Sequence, residues 1–132
     1  MQKGPLQIGG PGPFADTLQV MKTLVGRTVL GFAARENTVI GVVATNARLS
    51  KEQANKVAQM AQDGVARAVR PAHTMLDGDT IFALSTGRRR ADVNIVGAFA
   101  AETFAQAILR GVQAARSTGG VPGLADWAGG PD

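Results

Sequence analysis

A threonine and two aspartates stand at the starts of two apolar runs in this chain. Thr38 follows Asn37 and opens the run 39–44, and Asp77-Gly78-Asp79 precedes the run 81–84. A threonine hydroxyl is a weak nucleophile that needs a base, and a cut before Thr38 would free its own α-amine for that role. Two close carboxylates can hold the ammonium and orient the hydroxyl. We therefore expect these groups to form one catalytic site at the N-terminal ends of two predicted strands, which we call the strand mouths.

Each of these residues also has an ordinary structural interpretation. Thr38 is β-branched, like many residues that begin strands, and Asn37 and Asp-Gly are common in turns. An Asp-x-Asp pair also occurs in divalent-cation sites. His73, the only histidine of the chain, either supports catalysis or is a loop histidine hydrogen-bonded to the backbone. Thr80, beside Asp79, is a further candidate for a supporting role.

Composition restricts the chemistry that the chain can perform. Its 132 residues suggest one domain, and 45% hydrophobic with 18% charged residues is ordinary globular composition. The absence of cysteine excludes disulfides, thiol chemistry and cysteine-based zinc sites. A single histidine argues against a multi-histidine metal site. We expect no metal and no cofactor.

The charge distribution gives no nucleic-acid signature. The net charge is +4, but the only basic run is 88–90, and it lacks the interleaved aromatic residues that bind single strands. We interpret that run as a solvated loop. No window approaches the ~18 apolar residues that span a bilayer, and no basic segment precedes a long apolar run. We expect a soluble, cytoplasmic protein without a nucleic-acid or membrane partner.

The hydrophobic pattern predicts an α/β unit with the order helix, strand, helix, strand, helix. Apolar residues at helical spacing predict a short helix that ends before Gly26, and 28–34 is read as extended. The run 38–45 is apolar in both phases, which predicts a strand buried on both faces. Ser50 and Gln53 form a capping box that begins the second helix, and Pro71 ends it near Arg70.

The second half of the chain continues the alternation. The pattern predicts a loop at 71–79, a strand at 80–85, a turn at 87–90 and a brief extension at 91–95. A long amphipathic helix is then predicted from Val96. The glycine, proline and serine content of 117–132 indicates a flexible tail.

Three runs together resemble a known family. Residues 36–47 (ENTVIGVVATNA), 59–74 (QMAQDGVARAVRPAHT) and 77–87 (DGDTIFALSTG) are similar to the DmpA family. That family includes L-aminopeptidase/D-esterases, β-peptidyl aminopeptidases and the nylon-oligomer hydrolase. The match is dense from residue 36 to 87, and the predicted C-terminal helix also fits the family.

The resemblance implies a fold, an activity and a set of site residues. The implied fold is an αββα sandwich with the architecture of N-terminal-nucleophile hydrolases, here only partial. Family members cut themselves before a serine or threonine, which corresponds to autocleavage between Asn37 and Thr38. Thr38 then attacks peptide, amide or ester bonds, and Asp77 and Asp79 match the acidic pair. Members assemble as oligomers of cleaved α/β pairs.

The same resemblance divides the chain into three segments. Residues 1–37 correspond to the end of the α portion, 38–116 to the β portion with the nucleophile, and 117–132 to the tail. The larger α portion, with its pocket and oxyanion-stabilising groups, has no counterpart in this sequence. Because such donors are often the largest catalytic term, we expect this chain alone to be nearly inert. The alternative is an inactive remnant or an oligomerising interaction module of the same fold.

Overall fold

The computed structural model describes residues 21–23 and 38–126. The compact unit Glu36–Asp126 contains four main elements and a short 3-10 helix, Leu124–Asp126. The main elements are β1 (Ile40–Ala47), α1 (Lys51–Ala68), β2 (Thr80–Arg89) and α2 (Val93–Ala114). Met21 and Lys22 are helical. The remainder of the predicted first helix, and the predicted extended segment 28–34, lie outside the described residues.

The two strands form a parallel pair joined by α1. Ile40 is paired with Thr80 and Thr45 with Ser85, so the register has a constant offset along most of the pair. Parallel strands need such a crossover connection, here a helix. Because the strands run in the same direction, the residues that precede them lie at the same edge of the sheet. The parallel register thus decides which loop residues meet at that edge.

The predicted capping box at the start of α1 is confirmed. The Ser50 hydroxyl accepts from the Gln53 backbone N–H at 3.3 Å, and the Gln53 side chain accepts from the Ser50 N–H at 2.9 Å. Both bonds satisfy backbone donors that the first helical turn leaves free. The helix ends at Ala68, close to the predicted end. This cap fixes where α1 leaves β1, and with it the path back to β2.

Both helices cover the same side of the sheet. The buried cluster joins α1 to α2 and to β2, and its members are Val57, Ala61, Val65, Ile81, Ala100 and Phe104. The partly buried Val43 and Ala83, one from each strand, pack against that cluster. The described residues therefore form one helical layer on one face of a two-stranded sheet.

The prediction that β1 is buried on both faces is wrong. Residues that face away from the helices are exposed on both strands: Ile40 by 71%, Val42 by 58%, Phe82 by 56% and Leu84 by 51%. The register brings Val42 beside Phe82 and Ala44 beside Leu84, which makes these side chains one continuous apolar surface. We call this surface the open sheet face. The sequence of β1 is apolar on both faces, but no described element covers the open sheet face.

The predicted boundaries between β2 and α2 are also wrong. The predicted turn at 87–90 belongs largely to β2, which continues to Arg89. A register shift after Thr45 pairs Ala47 with Arg89, and the Arg48 N–H donates to the Arg89 carbonyl at 2.7 Å. Within the predicted extension at 91–95, residues 93–95 are the start of α2. Its N-cap is Asp92, whose carboxylate accepts from the backbone N–H groups of the second and third helical residues.

Helix α2 is more apolar than the sequence analysis anticipated. Within the described residues it is the one helix long and apolar enough, by length and composition alone, to cross a membrane. One side of it is buried through Gly97, Ala100, Ala101, Phe104 and Ala105. Ile95 and Phe99 are exposed and line an apolar groove of about 630 Å³ between α2 and β1. The apolar character of α2 thus serves two surfaces, the contact with α1 and this groove.

The segment after α2 folds back on the end of that helix. Ser117 N–H donates to the Asp126 carboxylate at 2.6 Å, and Ala125 N–H donates to the Ala115 carbonyl at 2.9 Å. Thr118 and Val121 bond each other across a tight turn. Residues 127–132 lie outside the described residues, and the flexibility of the tail stays a prediction.

We expect Gly64→Ala to destabilise the protein, because α1 and α2 touch at this glycine. A Cβ at Gly64 would run into the backbone carbonyl oxygen of Ala101. Overpacking of this kind costs about 1–3 kcal/mol in unfolding free energy. At Gly111 of α2, nothing lies within 4 Å of an added Cβ, so Gly111→Ala is a matched control expected to stabilise by about 0.5–1 kcal/mol. Urea unfolding of the two variants measures both changes in unfolding free energy. Changes of the same sign in the two variants would contradict the close helix contact.

Candidate functional site at the strand mouths

The parallel register brings Thr38 to the glycine between the two aspartates. Continuing the Ile40–Thr80 pairing back by two residues places Thr38 opposite Gly78. The approach is close, since a Cβ built on Gly78 would lie 3.0 Å from the Thr38 hydroxyl oxygen. Only a residue without a side chain leaves this space open. Thr38 is itself exposed, so its hydroxyl lies at the surface of the sheet edge.

The Asp79 carboxylate holds the backbone just after Thr38. Its Oδ1 accepts from the Val39 N–H at 2.9 Å, while the Thr80 N–H donates to the Val39 carbonyl at 2.9 Å. The Asp79 side chain is only 7% exposed. A carboxylate this buried needs hydrogen-bond donors, and Val39 supplies one of them. Asp79 therefore fixes the start of β1 against the start of β2.

His73 supplies the second contact of Asp79. The Nδ1 atom of its ring lies 3.1 Å from Oδ2 of Asp79, and Nε2 lies 3.3 Å from the Gln62 backbone carbonyl oxygen. His73 has a positive φ of 57°, which is uncommon for a residue other than glycine. The loop 71–79 thus turns back so that the ring lies between α1 and the carboxylate. His73 thus lies within reach of a backbone carbonyl and of a candidate catalytic residue, and its supporting role in catalysis stays a prediction.

Asp77 is held within its own loop. Its Oδ2 accepts from the Thr74 N–H at 2.7 Å, and its own N–H donates to the Thr74 carbonyl at 3.1 Å. The hydrogen bonds that Asp77 accepts from Thr74, first from its backbone and then from its side chain, hold the pKa of Asp77 below its usual range. Desolvation opposes this effect, and His73 adds to it whenever its ring is protonated. Asp77 is thus favoured in its charged form beside the strand mouth.

The remaining predicted site residues are placed as follows. Thr80 donates its hydroxyl to the Gly78 carbonyl at 3.2 Å, so it stabilises the Asp-Gly-Asp turn. Asn37, the residue on the other side of the predicted cut, lies outside the described residues. The structure therefore brings Thr38, Gly78, Asp79 and His73 together at one edge, and it holds Asp77 in the adjoining turn.

Gln62 is a site neighbour that the sequence analysis did not single out. Its side-chain amide donates to the Asp79 carbonyl at 3.4 Å, while its main-chain carbonyl faces His73. Its side-chain oxygen is buried without a hydrogen-bond partner among the described residues. Gln62 lies next to the buried Ala61 and one turn before the buried Val65 in α1. This position is a weak sequence signal that its polar side chain lies at the boundary of the core.

The geometry favours hydrolytic chemistry over metal binding for the Asp-x-Asp pair. Both oxygens of Asp79 are engaged by nitrogen atoms of Val39 and His73. Across residues 21–23 and 38–126, no group of three acidic, histidine or cysteine side chains is arranged to hold a metal ion. What remains is an exposed threonine whose hydroxyl lies against Gly78, with the next backbone N–H held by Asp79.

The lowered pKa of Asp77 predicts a stability change at acid pH. Because its pKa is lower in the folded than in the unfolded protein, its stabilising contribution is complete above the unfolded value, about 3.9. The contribution is lost as the pH falls through the folded value. We expect the unfolding free energy to drop less between about pH 5 and about pH 3 in Asp77→Asn than in the unaltered protein. Urea unfolding across this range tests it, and parallel curves would show that Asp77 contributes nothing.

Comparison with known proteins identifies the family. A layered α/β unit with a hydroxyl and an acidic pair at one sheet edge is typical of a hydrolase domain. The sequence model of peptidase family S58 matches residues 8–125. The chain belongs to peptidase family S58, the DmpA family, so the resemblance read from the sequence is confirmed. Membership implies a fold like that of N-terminal-nucleophile hydrolases.

Curated relatives include aminopeptidases and nylon-oligomer hydrolases. An uncharacterized aminopeptidase of Mycobacterium leprae is 50% identical over 65% of this chain and 28% of its own length. One from Mycobacterium bovis is 43% identical over 68% of this chain and 30% of its own length. A 6-aminohexanoate-oligomer endohydrolase of Kocuria is 33% identical over 55% of this chain and 24% of its own length. The chain thus spans less than a third of the relatives that it matches.

Proposed function

We propose that this chain is the nucleophile-bearing portion of a self-cleaving N-terminal-threonine hydrolase that acts on peptide or amide bonds. The observation that carries the proposal is the juxtaposition of the Thr38 hydroxyl with Gly78, between the two aspartates. Membership of family S58 and similarity to aminopeptidases support it. Thr38 is the nucleophile, and Asp77 and Asp79 are the acidic pair.

The first reaction is autocleavage before Thr38. The Thr38 hydroxyl attacks the carbonyl carbon of Asn37, and the C–N bond between the two residues breaks as the amine takes up a proton. This leaves an ester between Asn37 and the Thr38 oxygen. Water hydrolyses the ester, which gives a carboxylate on Asn37 and returns the hydroxyl of Thr38. Asp79 holds the Val39 N–H, so the chain after the cut stays in place when the bond breaks.

The second reaction is turnover by the freed threonine. Its α-amine, with a pKa near ~8, takes the hydroxyl proton while the oxygen attacks the substrate carbonyl. The proton passes to the leaving amine, and water hydrolyses the resulting ester. The substrate class is a small peptide, amide or ester. The names of the relatives, aminopeptidase and 6-aminohexanoate-oligomer endohydrolase, support amide chemistry without selecting one substrate.

The partner that completes the site is the larger α portion of the same precursor. The open sheet face and the groove along α2 are apolar and uncovered among the described residues. Contiguous apolar surface of this kind marks an interaction site. A second sheet on the open face would complete an αββα sandwich, and the same portion would supply oxyanion donors. We place the cleaved pair in the cytoplasm as a homo-oligomer.

Intact mass spectrometry of the full-length gene product tests this function. We expect two chains whose masses place the break between residues 37 and 38, and one uncut chain in Thr38→Ala. Uncut unaltered protein, in a folded preparation that has been incubated for days, would sink the proposal.

The second candidate is a non-catalytic remnant or oligomerising module of the same fold. The exposed apolar open sheet face favours it. Light scattering combined with an amide-substrate assay on this 132-residue chain distinguishes the two. A stable inert oligomer, not activated by the relatives' α portion supplied in trans, would favour the second candidate. Turnover by the isolated chain would exclude it.

A further inference from the structure

We propose that His73 is a positioning residue, which orients Asp79 by a hydrogen bond from its ring Nδ1 to the carboxylate, a contact we call the tie. The proposal rests on the proposed function, since Asp79 matters for catalysis only if Thr38 is the nucleophile. Its structural part, the tie itself, can be tested without any activity. His73 does not approach the reacting atoms directly; it acts through Asp79.

The His73 ring lies between two acceptors. Nδ1 is 3.1 Å from the Asp79 carboxylate and Nε2 is 3.3 Å from the Gln62 backbone carbonyl. A neutral imidazole carries one N–H and can donate to only one of them. The carboxylate is the stronger acceptor and the shorter contact, so the proton belongs on Nδ1. A second proton on the ring would complete the contact with Gln62.

The tie controls the position of Thr38 through a short chain of contacts. Asp79 is buried and uses one oxygen for His73 and the other for the Val39 N–H. Within residues 38–126, no other hydrogen-bond donor reaches the oxygen that faces His73. Rotation of the carboxylate would therefore release Val39, the residue joined to Thr38. The ring prevents that rotation by donating to the second oxygen.

The backbone at His73 supports a role for the ring. Its φ of 57° is a conformation that glycine and asparagine adopt more readily than histidine. Keeping a bulky ring there strains the backbone. Such strain persists only where the surroundings hold the residue in place, and the contact with Asp79 does so.

Nuclear magnetic resonance of the imidazole nitrogens tests the tie directly. His73 is the only histidine in the chain, so its ring signals need no assignment by mutation. We expect Nδ1 to carry the proton in the folded 132-residue chain, and we expect Asp79→Ala to abolish that preference. A neutral ring protonated only on Nε2 in the unaltered protein would overturn the proposal.

Two substitutions at residue 73 separate positioning from structure. His73→Asn keeps a side-chain N–H at the place of Nδ1 and accepts the positive φ, whereas His73→Gly accepts the φ and removes both contacts. We expect autocleavage of the full-length protein to slow on the order of 10²-fold in the glycine variant. The asparagine variant should stay close to the unaltered rate. The free energy of unfolding should fall in the glycine variant, because the buried Asp79 oxygen loses its donor. It should fall less in the asparagine variant, which keeps a donor.

Met75, which is fully exposed in the same loop, supplies the control. Met75→Ala should leave the cleavage rate and the ring signals unchanged. Cleavage at the unaltered rate in a folded His73→Gly variant would refute the positioning role even if Thr38→Ala is inert. If the unaltered protein is never cleaved, the proposed function fails, while the ring signals still decide whether His73 holds Asp79.

Discussion

Replacing Thr38 by alanine is expected to abolish both autocleavage and turnover. The variant keeps the strand but loses the oxygen that lies against Gly78. Removal of a nucleophile that works as a unit with its base lowers kcat by about 10⁶-fold in a well-studied serine protease, and we expect a loss beyond detection here. Thr38→Ser keeps a hydroxyl in nearly the same place and should retain cleavage. Mass spectrometry and an amide assay measure the two steps.

The paired variants exclude a purely structural explanation. Thr38 is exposed, so alanine there should change the unfolding free energy by no more than about 0.5 kcal/mol. An active Thr38→Ala protein would contradict the assignment of the nucleophile. A serine variant as inert as the alanine variant, although correctly folded, would show that the hydroxyl is not the group that matters.

Replacing Asp79 by alanine is expected to have the second-largest effect. The substitution leaves the Val39 N–H and the His73 ring without their acceptor. Loss of a buried hydrogen-bond partner costs about 1–3 kcal/mol in unfolding free energy. Because the backbone next to Thr38 is then free to move, autocleavage should fall on the order of 10²-fold or more. Asp79→Asn keeps an oxygen for Val39 and should be less severe in both measurements.

Asp92 provides a matched control for that experiment. Its carboxylate caps α2 by accepting from the Asn94 N–H at 2.8 Å, remote in sequence from the strand mouths. Asp92→Ala should cost about 1 kcal/mol in stability and leave the cleavage rate unchanged. If Asp79→Ala and Asp92→Ala lose activity in equal proportion to stability, then Asp79 has no specific role in the site.

The sequence was a good guide to the residues that meet at the site. Thr38 and the Asp-Gly-Asp turn could be placed together, because both precede apolar runs and because those runs were read as strands of one unit. The capping box at Ser50 was readable, since it depends only on two side chains three residues apart. Local features of this kind can be predicted because they depend on residues close together in the sequence.

Other features depend on contacts between distant residues and could not be read in this way. The continuation of β2 to Arg89 depends on a register shift opposite Ala47. The glycine and arginines in that segment are instead typical of a turn, so the sequence predicted one. The contact of His73 with Asp79 is made by a residue with a positive φ. The presence of a histidine in a loop does not predict that backbone conformation. The sequence of β1 is apolar on both faces, but burial of both faces requires a packed element on each side. Among the described residues, such an element lies on one side only.

The exposed open sheet face therefore connects the fold to the function. A strand with apolar residues in both phases is built for a sheet covered on both faces. In the described residues one face is covered by α1 and α2 and the other is not.

The most direct test of the central claim is to trap the acylated nucleophile. The full-length gene product is treated with an activated amino-acid ester, stopped in acid, digested, and mapped by mass spectrometry. We predict a peptide that begins at Thr38, with a free α-amine and the acyl group on the threonine oxygen. A peptide that runs uncut through residues 37 and 38, with the acyl group on another residue, would contradict the account.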